Sequence, residues 1–364
     1  MTQSNDRSAT TGSGFGGAVR RVLRTVVLML VLLLVASIGL VIGKGSPDRV
    51  PSAEEVALSG ASTAANGLAS TATALERTVP VTNGSDYAEL AEMFGIHALA
   101  LRPAGARESP SPSVSPVVSS TPSPSTATTT PAPSPADLLA ELTASYTESF
   151  EAAATVEPGP SRVLASAATA QWLQSRELAG RLDAAVPGIP VPEVHHDDLT
   201  EPACPLETTT LEEPEPGLDG ARTAVLAEQR ASYAYEVIAA RADDPAPFLR
   251  RMAQHESAAA LGAAVLAQHC VAEPLPAAAY ALDDSFQSAP DDALRELESG
   301  LTVTYADLVG VSAPGPVREW ALRQLVETAQ HLAESVEGTS PKDAPGILPG
   351  IDPVEYPRLP EPAS

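Results

Sequence analysis

The chain has 364 residues and a formal net charge of −24, from 46 acidic and 22 basic side chains. This excess of negative charge repels the phosphates of nucleic acids, so nucleic-acid binding is excluded as a function. Hydrophobic residues make up 44% of the chain but aromatic residues only 4%. Alanine dominates the apolar set, which predicts a core of closely packed helices rather than of bulky side chains.

The first predicted element is a membrane anchor at residues 25–43, a run without charged side chains. As a helix rising about 1.5 Å per residue, it is long enough to span the hydrocarbon layer of a bilayer. Arg20, Arg21 and Arg24 precede it, so the positive-inside rule makes residues 1–24 a cytoplasmic leader. We therefore expect a single-pass protein of the cell membrane with an extracytoplasmic bulk. A cleaved signal peptide is the alternative, but the run is long for one and no A-x-A pattern follows it.

Four helices are predicted in residues 52–186. Capping signals at Ser52, Ser85 and Ser134 open the first three, and apolar residues recur at three- and four-residue spacing along all four. A loop rich in proline, serine and threonine interrupts the region at residues 108–135. Its composition cannot bury a core, so we expect an extended segment there.

Four further helices are predicted in the C-terminal block, residues 217–338. They cover residues 221–242, 247–269, 291–309 and 316–336. Each carries one apolar stripe and no alternating β pattern competes with it, so a four-helix bundle is the economical packing. An acidic, proline-rich connector at 187–216 precedes this block. A proline-rich tail at 339–364 follows it and is expected to be disordered.

Cys204 and Cys270 are the two cysteines of the chain. An exported chain meets oxidising conditions, so a disulfide between them is predicted, stabilising the fold by roughly 4 kcal/mol in the loop-entropy description. Two unpaired thiols are the alternative. A cysteine metal site is not expected, because neither cysteine has a second thiol nearby.

The C-terminal block resembles a known family, the ferritin-like bundle catalogued as domain of unknown function 4439. The resemblance is carried by the runs RTAVLAEQRASYAYEVIAAR, FLRRMAQHESAAALGAAV, PLPAAAYALDDSF and LRELESGLTVTYADLVG. Residues 52–186 are similar to the helical region that often precedes this domain, and read as a degenerate second bundle. The resemblance implies an all-α fold of antiparallel four-helix bundles and an exported, often anchored, setting. It implies no established activity.

A di-iron centre of the ferritin kind needs a glutamate from each of two helices and a Glu-x-x-His pair from each of the other two. Glu228 and Glu298 suit the lone glutamates, and His255 lies on the predicted core face. However, Met252 stands where the glutamate paired with His255 would be, and the histidine after Glu327 comes one residue too late. Both pairs fail, so no cofactor is predicted. Glu228, His255 and Glu298 remain candidates for a site holding a single metal ion.

Two other histidine positions have simple interpretations. Residues 193–196 form the one Glu-x-x-His of the chain, but it lies between prolines and outside any predicted helix. We expect an acidic exposed loop there, with loose binding of a divalent cation as the alternative. His97 and His255 are expected to be core histidines whose hydrogen bonds are satisfied, with Glu228 or Glu298 as the partner of His255.

The sequence contains no nucleophile elbow, P-loop or dinucleotide-binding fingerprint. The function expected is therefore non-catalytic interaction or structural support in the cell envelope, with an envelope protein as a candidate partner. One alternative is a cation- or iron-binding bundle with redox activity that uses Glu228, His255 and Glu298. Another is a module that holds a small apolar ligand between alanine-lined helices. The oligomeric state is not defined by the sequence.

Overall fold

The computed structural model describes residues 50–78, 87–103, 132–194, 199, 204, 216–335 and 346–357. The chain divides after Pro51, and residues 52–364 form one compact unit. Within the described ranges the fold is all-α and contains no strand. No helix in these ranges is both long and apolar enough to cross a bilayer, and the predicted anchor at 25–43 lies outside them.

The helices fall into two groups along the chain. The N-terminal group is α1 (Ala53–Thr78), α2 (Tyr87–Ala100), α3 (Pro135–Thr155) and α4 (Pro160–Arg181). The C-terminal group is α5 (Pro216–Ala239), α6 (Ala246–Gln268), the single turn α7 (Ser285–Ser288), α8 (Pro290–Val311) and α9 (Pro316–Ser335), followed by a 3-10 turn at Pro353–Glu355. The four long C-terminal helices agree with their predicted bounds to within a few residues, and α1, α2 and α3 begin close to the predicted caps Ser52, Ser85 and Ser134. The largest difference is at α5, which begins at Pro216 rather than at 221.

Local capping explains where two of the helices begin. The Ser52 backbone N–H donates to Glu55 Oε2 at 2.9 Å and the Glu55 N–H donates to Ser52 Oγ at 3.1 Å, which is the predicted capping box of α1. Ser134 and Asp137 form the same reciprocal pair at the start of α3, with Pro135 in the first turn. Each serine satisfies N–H groups that the first turn of a helix leaves unpaired.

The two groups share one hydrophobic core. In the N-terminal group, α1 contacts α2, α3 and α4, and α3 also packs along α4. In the C-terminal group, α5 packs on α6 and α8, while α9 packs on α8 and α6. Contacts of α4 with α8 and α9 join the groups. The four long C-terminal helices therefore enclose a common interior, and α4 lies against its outside.

A buried arginine also connects the groups. Arg318 of α9 is fully buried, and its Nη1 donates to the carbonyl oxygens of Ala153, at 3.3 Å, and Val156 at the end of α3. Its Nη2 donates to the carbonyl of Ser312 at the end of α8. Burial lowers the pKa of Arg318. Carbonyls at helix C-termini lack partners within the helix and carry partial negative charge, so one guanidinium caps two helices.

Part of the tail is folded, contrary to the expectation that residues 339–364 are disordered. In residues 346–357 the side chains of Ile347, Leu348 and Ile351 are buried in the shared core. The proline content of the tail predicts disorder, but these three apolar side chains provide enough surface for part of it to pack on the helices. Their burial removes apolar surface from water, which opposes the entropy of ordering a short segment.

A close backbone approach holds this tail segment against α8. Gly350 has φ of +79°, and a β-carbon at this position would lie 2.3 Å from the β-carbon of Ala306. Only glycine has both the conformational freedom and the absence of a side chain that this contact requires. The Gly350 carbonyl accepts a hydrogen bond from Arg162 of α4 at 3.0 Å, so the tail bridges the two helix groups.

Candidate functional site

The three candidate residues meet in the interior of the C-terminal helices. Glu228 on α5, His255 on α6 and Glu298 on α8 are each 2% exposed or less. His255 Nδ1 lies 2.6 Å from Glu228 Oε2, and His255 Nε2 lies 3.2 Å from Glu298 Oε1. The imidazole therefore bridges two buried carboxylates that belong to different helices.

An arginine that the sequence analysis did not select completes the charge balance. Arg251 lies one turn before His255 on α6 and is 9% exposed. Its Nε donates to Glu298 Oε1 at 2.7 Å and its Nη2 donates to Glu298 Oε2 at 2.6 Å. This bidentate arrangement matches the planar fork of a guanidinium to both oxygens of a carboxylate.

Two tyrosines donate the remaining hydrogen bonds of the cluster. Tyr305 of α8 donates to Glu228 Oε1 at 2.5 Å, and Tyr235 of α5 donates to Glu298 Oε1 at 2.8 Å. The ring of Tyr235 also stacks on the imidazole of His255, with centroids 5.1 Å apart. Burial, reinforced by the neighbouring carboxylates, raises the pKa of both tyrosines well above the ordinary value, so both hydroxyls remain donors.

The proton affinities reflect mutual stabilisation of opposite charges. Burial lowers the pKa of His255, but hydrogen bonds to Glu228 and Glu298 outweigh burial, so the pKa is raised overall. Burial raises the pKa of Glu298, but hydrogen bonds from His255 and Arg251 outweigh it and hold that pKa well below its usual range. Protonated His255 and Arg251 thus neutralise the two carboxylates within the protein.

This geometry does not fit a metal ion shared by the three candidates. The two nitrogens of His255 point to different carboxylates, so no single point lies in front of all three groups. Both oxygens of Glu298 already accept hydrogen bonds from Arg251. Among the described residues, no group of three or more His, Cys, Asp or Glu side chains is placed to hold a metal ion.

His331 of α9 lies at the solvent edge of the network. Its Nε2 is 3.3 Å from the Tyr235 hydroxyl and 3.6 Å from Glu298 Oε1, and its side chain is 34% exposed. His331 is the histidine that follows Glu327 four positions later in the sequence. It lies between the exposed surface of α9 and the buried cluster, where burial lowers its pKa.

Two cavities flank the network where Arg251 and His331 reach its surface. The larger, here called the polar cavity, has a volume of about 350 Å³ and lies between α6, α9 and the connector residues 189–194. The smaller has a volume of about 220 Å³ and lies between α5, α6, α8 and α9. Both are lined by Arg251 and His331, and the smaller is also lined by Tyr235 and by Glu298 itself.

The residues that were missed carry a helical-spacing signal. Tyr235 follows Glu228 by seven positions and Tyr305 follows Glu298 by seven, so each pair lies on one helix face. Arg251 precedes His255 by four positions. Met252, one position later, is only half-buried, whereas Arg251 is buried on the same face of α6 as His255, Ala259 and Leu266.

Cys204 and Cys270 form a disulfide with a Cα–Cα distance of 5.5 Å. Cys270 follows the end of α6 and has φ of +56°, a conformation in which glycine or asparagine is favoured. The disulfide therefore fastens the connector to the C-terminal cap of α6. Of the Glu-x-x-His segment, only Glu193 and Val194 lie in the described residues, where they line the polar cavity.

His97 is a core histidine with one hydrogen bond from its ring. Its Nε2 donates to the carbonyl of Ile347 at 2.6 Å, whereas within the described part of the chain nothing bonds to its buried Nδ1. Burial lowers the pKa of His97 to about 4, with the Ile347 hydrogen bond acting in the opposite direction. The ring is therefore neutral and links α2 to the folded part of the tail.

The fold and the site define an all-α protein whose C-terminal helices enclose a buried, internally neutralised network of ionised side chains. Residues 220–352 match the family model described as Domain of unknown function (DUF4439). The C-terminal block is thus a domain of this family, as its sequence resemblance indicated, and the match extends into the tail segment that docks on α8. No curated protein and no solved structure matches the chain.

Proposed function

We propose that this protein is a membrane-anchored, extracytoplasmic, ferritin-like helical scaffold that acts by interaction or structural support in the cell envelope, without a cofactor. The observation that carries the proposal is the arrangement of Arg251 and His255 around Glu228 and Glu298. Two cationic side chains stand where a ferritin-like bundle would place metal ions. They satisfy the charge of the carboxylates that such ions would need.

The alternatives find less support in the described residues. A redox-active metal bundle would need Glu298 to release Arg251 and His255 to turn one nitrogen away from its carboxylate, which would leave a buried cation unpaired. A small apolar ligand was expected between alanine-lined helices. The apolar cavity of about 590 Å³ instead lies at the helix ends, lined by residues of loops and helix termini such as Pro158, Gly217 and Pro314.

The cellular setting is proposed from the sequence and one structural feature. Residues 25–43 serve as the anchor with the N-terminus in the cytoplasm. The Cys204–Cys270 disulfide supports an oxidising compartment for the remainder. Protease added to intact spheroplasts should digest the protein beyond residue 45, whereas digestion only after lysis would contradict this topology.

Metal analysis tests the absence of a metal centre directly. The purified full-length chain is incubated with Fe²⁺, Mn²⁺ or Zn²⁺, desalted and analysed by elemental mass spectrometry. We expect far less than one ion per chain, and equal amounts in the wild type, His255→Ala and the exposed control His269→Ala. Stoichiometric metal that is lost in His255→Ala and retained in His269→Ala would overturn the proposal.

A further inference from the structure

Residues 185–194, here called the strap, cross the outside of α4 and α9. They form neither helix nor strand. Pro187, Pro190 and Pro192 fix their own φ angles and push the residues before them towards extended conformations. Pro187 and Pro190 are three positions apart, so the strap contains a P-x-x-P pattern, which is typical of polyproline segments, and the chain bends at Pro190 and Val191.

Helix α4 binds the first half of the strap through backbone carbonyls. The indole N–H of Trp172 donates to the carbonyl of Gly188 at 2.8 Å. Arg176, one turn later, donates to the carbonyl of Pro187 at 3.0 Å, and its guanidinium lies 5.0 Å from the centre of the Trp172 ring. The ring and the two donors therefore form one surface directed at strap carbonyls.

Helix α9 binds the second half. Arg323 donates from Nη1 to the carbonyl of Val191 at 3.1 Å, while its Nε is paired with Glu327 at 2.6 Å. Val191 is 5% exposed and is the only side chain of the strap that is fully buried. The groove thus consists of Trp172, Arg176 and Arg323, with one apolar site for Val191.

This is the chemistry by which proteins recognise proline-rich peptides. An aromatic side chain with an N–H donor receives a preformed extended segment, and hydrogen bonds are made to carbonyls that every such segment presents. Because the three hydrogen bonds involve no strap side chain, another P-x-x-P segment can accept all of them. The apolar site under Val191 adds selectivity for an aliphatic residue just after the second proline.

The strap is held by hydrogen bonds from helix side chains and by the burial of Val191. Among the described residues, no backbone–backbone hydrogen bond fixes positions 185–194. Ile189, Glu193 and Val194 of the strap form one wall of the polar cavity, opposite Arg251 and His331. Departure of the strap would therefore uncover this cavity while leaving every helix intact, as expected for a segment of low local stability.

We propose that the groove formed by Trp172, Arg176 and Arg323 is a recognition site for an extended P-x-x-P peptide of another envelope protein, and that the strap occupies it in cis. The inference rests on the proposed interaction role and names the partner class for it. A tethered segment has an effective concentration on the order of millimolar. The intact strap therefore prevents peptides of low affinity from binding to the groove. A peptide of another protein can bind only when the strap has left the groove.

The test uses the strap itself as a free ligand. A fluorescently labelled peptide with the sequence of residues 186–194, VPGIPVPEV, is titrated into the full-length protein and followed by anisotropy. Val191→Asp removes the buried anchor of the strap in cis, and Pro187→Ser with Pro190→Ser releases it without touching a buried side chain. Each should bind the peptide about tenfold more tightly than the wild type does, or better. The matched control Val56→Asp, at an exposed position of α1, should behave as wild type.

Removal of the groove donors completes the design. Adding Trp172→Phe and Arg323→Gln to either strap variant should abolish binding, whereas adding Arg222→Gln on the exposed side of α5 should not. A peptide with serine at positions 187 and 190 should not bind.

Two results would overturn the inference. One is failure of both strap variants to bind the peptide while their circular dichroism is that of the wild type. The other is tight binding that survives loss of the groove donors. Peptide-independent dimerisation of the strap variants would overturn it in favour of a second copy as occupant. None of these outcomes depends on metal content, so they are distinguishable from failure of the proposed function.

Discussion

Gly262 of α6 lies directly against the indole ring of Trp320 on α9. A β-carbon at position 262 would lie 2.5 Å from Trp320 Cζ2 and 2.7 Å from Val225 Cγ2. Trp320 in turn packs edge-on against Tyr305, whose hydroxyl binds Glu228. The glycine therefore sets how closely α6 and α9 approach, and with it the position of the indole beneath the buried network.

The first prediction follows from this contact. Gly262→Ala should destabilise the protein by about 1–3 kcal/mol, because a methyl group forces rigid neighbours apart. Urea unfolding followed by circular dichroism measures the change. The matched control is Gly67→Ala in α1, where nothing lies within 4 Å, and it should stabilise by roughly 0.5–1 kcal/mol through helix propensity. Equal effects at both positions would show that α6 and α9 are not so closely packed.

The second prediction concerns the pairing of Arg251 with Glu298. Arg251→Ala removes the cation but leaves the carboxylate buried, so the free energy of unfolding should fall by about 3–5 kcal/mol. Arg295, which pairs with Asp292 at 2.6 Å on an exposed surface, serves as the control, and Arg295→Ala should change stability by less than about 1 kcal/mol. Chemical denaturation of both variants decides the point. If Arg251→Ala lowers the free energy of unfolding no more than Arg295→Ala does, the pair of Arg251 and Glu298 is in contact with solvent.

The third prediction is a dependence of stability on pH with two separable limbs. The unfolded chain protonates His97 near its ordinary pKa of 6.5, whereas the folded chain does so only near 4. Stability should therefore fall as the pH drops from about 6.5 to about 4, by about 3 kcal/mol for this residue. His97→Gln should remove this contribution and flatten the acid limb.

The contribution of His255 to the pH dependence of stability has the opposite sign to that of His97, because the pKa of His255 is raised in the folded state. Its stabilisation is fully present below its unfolded pKa and is lost as the pH rises through the higher folded pKa. The low folded pKa of Glu298 adds stability that is lost only under acid conditions, below the ordinary carboxyl range. Thermal unfolding of His255→Gln between pH 6 and 9 should show a weaker alkaline decline than the wild type shows. An unchanged slope would contradict protonation of His255.

The fourth prediction concerns the disulfide between Cys204 and Cys270, which are 66 positions apart. Opening a loop of this length should destabilise the fold by about 4 kcal/mol in the chain-entropy description. A reductant should therefore lower the Tm of the wild type, measured by differential scanning fluorimetry. The double variant Cys204→Ser, Cys270→Ser should have the lower Tm from the start and should not respond to reductant. A wild-type Tm that is insensitive to reductant would contradict the prediction.

Much of the helical architecture could be predicted because its signals are local. The capping box at Ser52 and the Ser134–Asp137 pair act within four residues, as do prolines that open helices. Helical spacing placed His255 on a buried face, and the di-iron pattern of ferritin-like bundles selected Glu228 and Glu298, which are also buried. A polar side chain on such a face needs a buried partner, which is why the site could be located from the sequence.

The sequence by itself determined the helices, the cysteine pair and three members of the buried network. The tertiary structure decided what surrounds them. Arg318 reaches the carbonyl of Ala153 across 165 positions, and His97 reaches that of Ile347 across 250. Likewise, only the folded chain brings the strap to Trp172 and Arg323. These contacts join side chains to backbone carbonyls, a group present at every residue, so no spacing or composition marks the acceptor. Packing alone selects it.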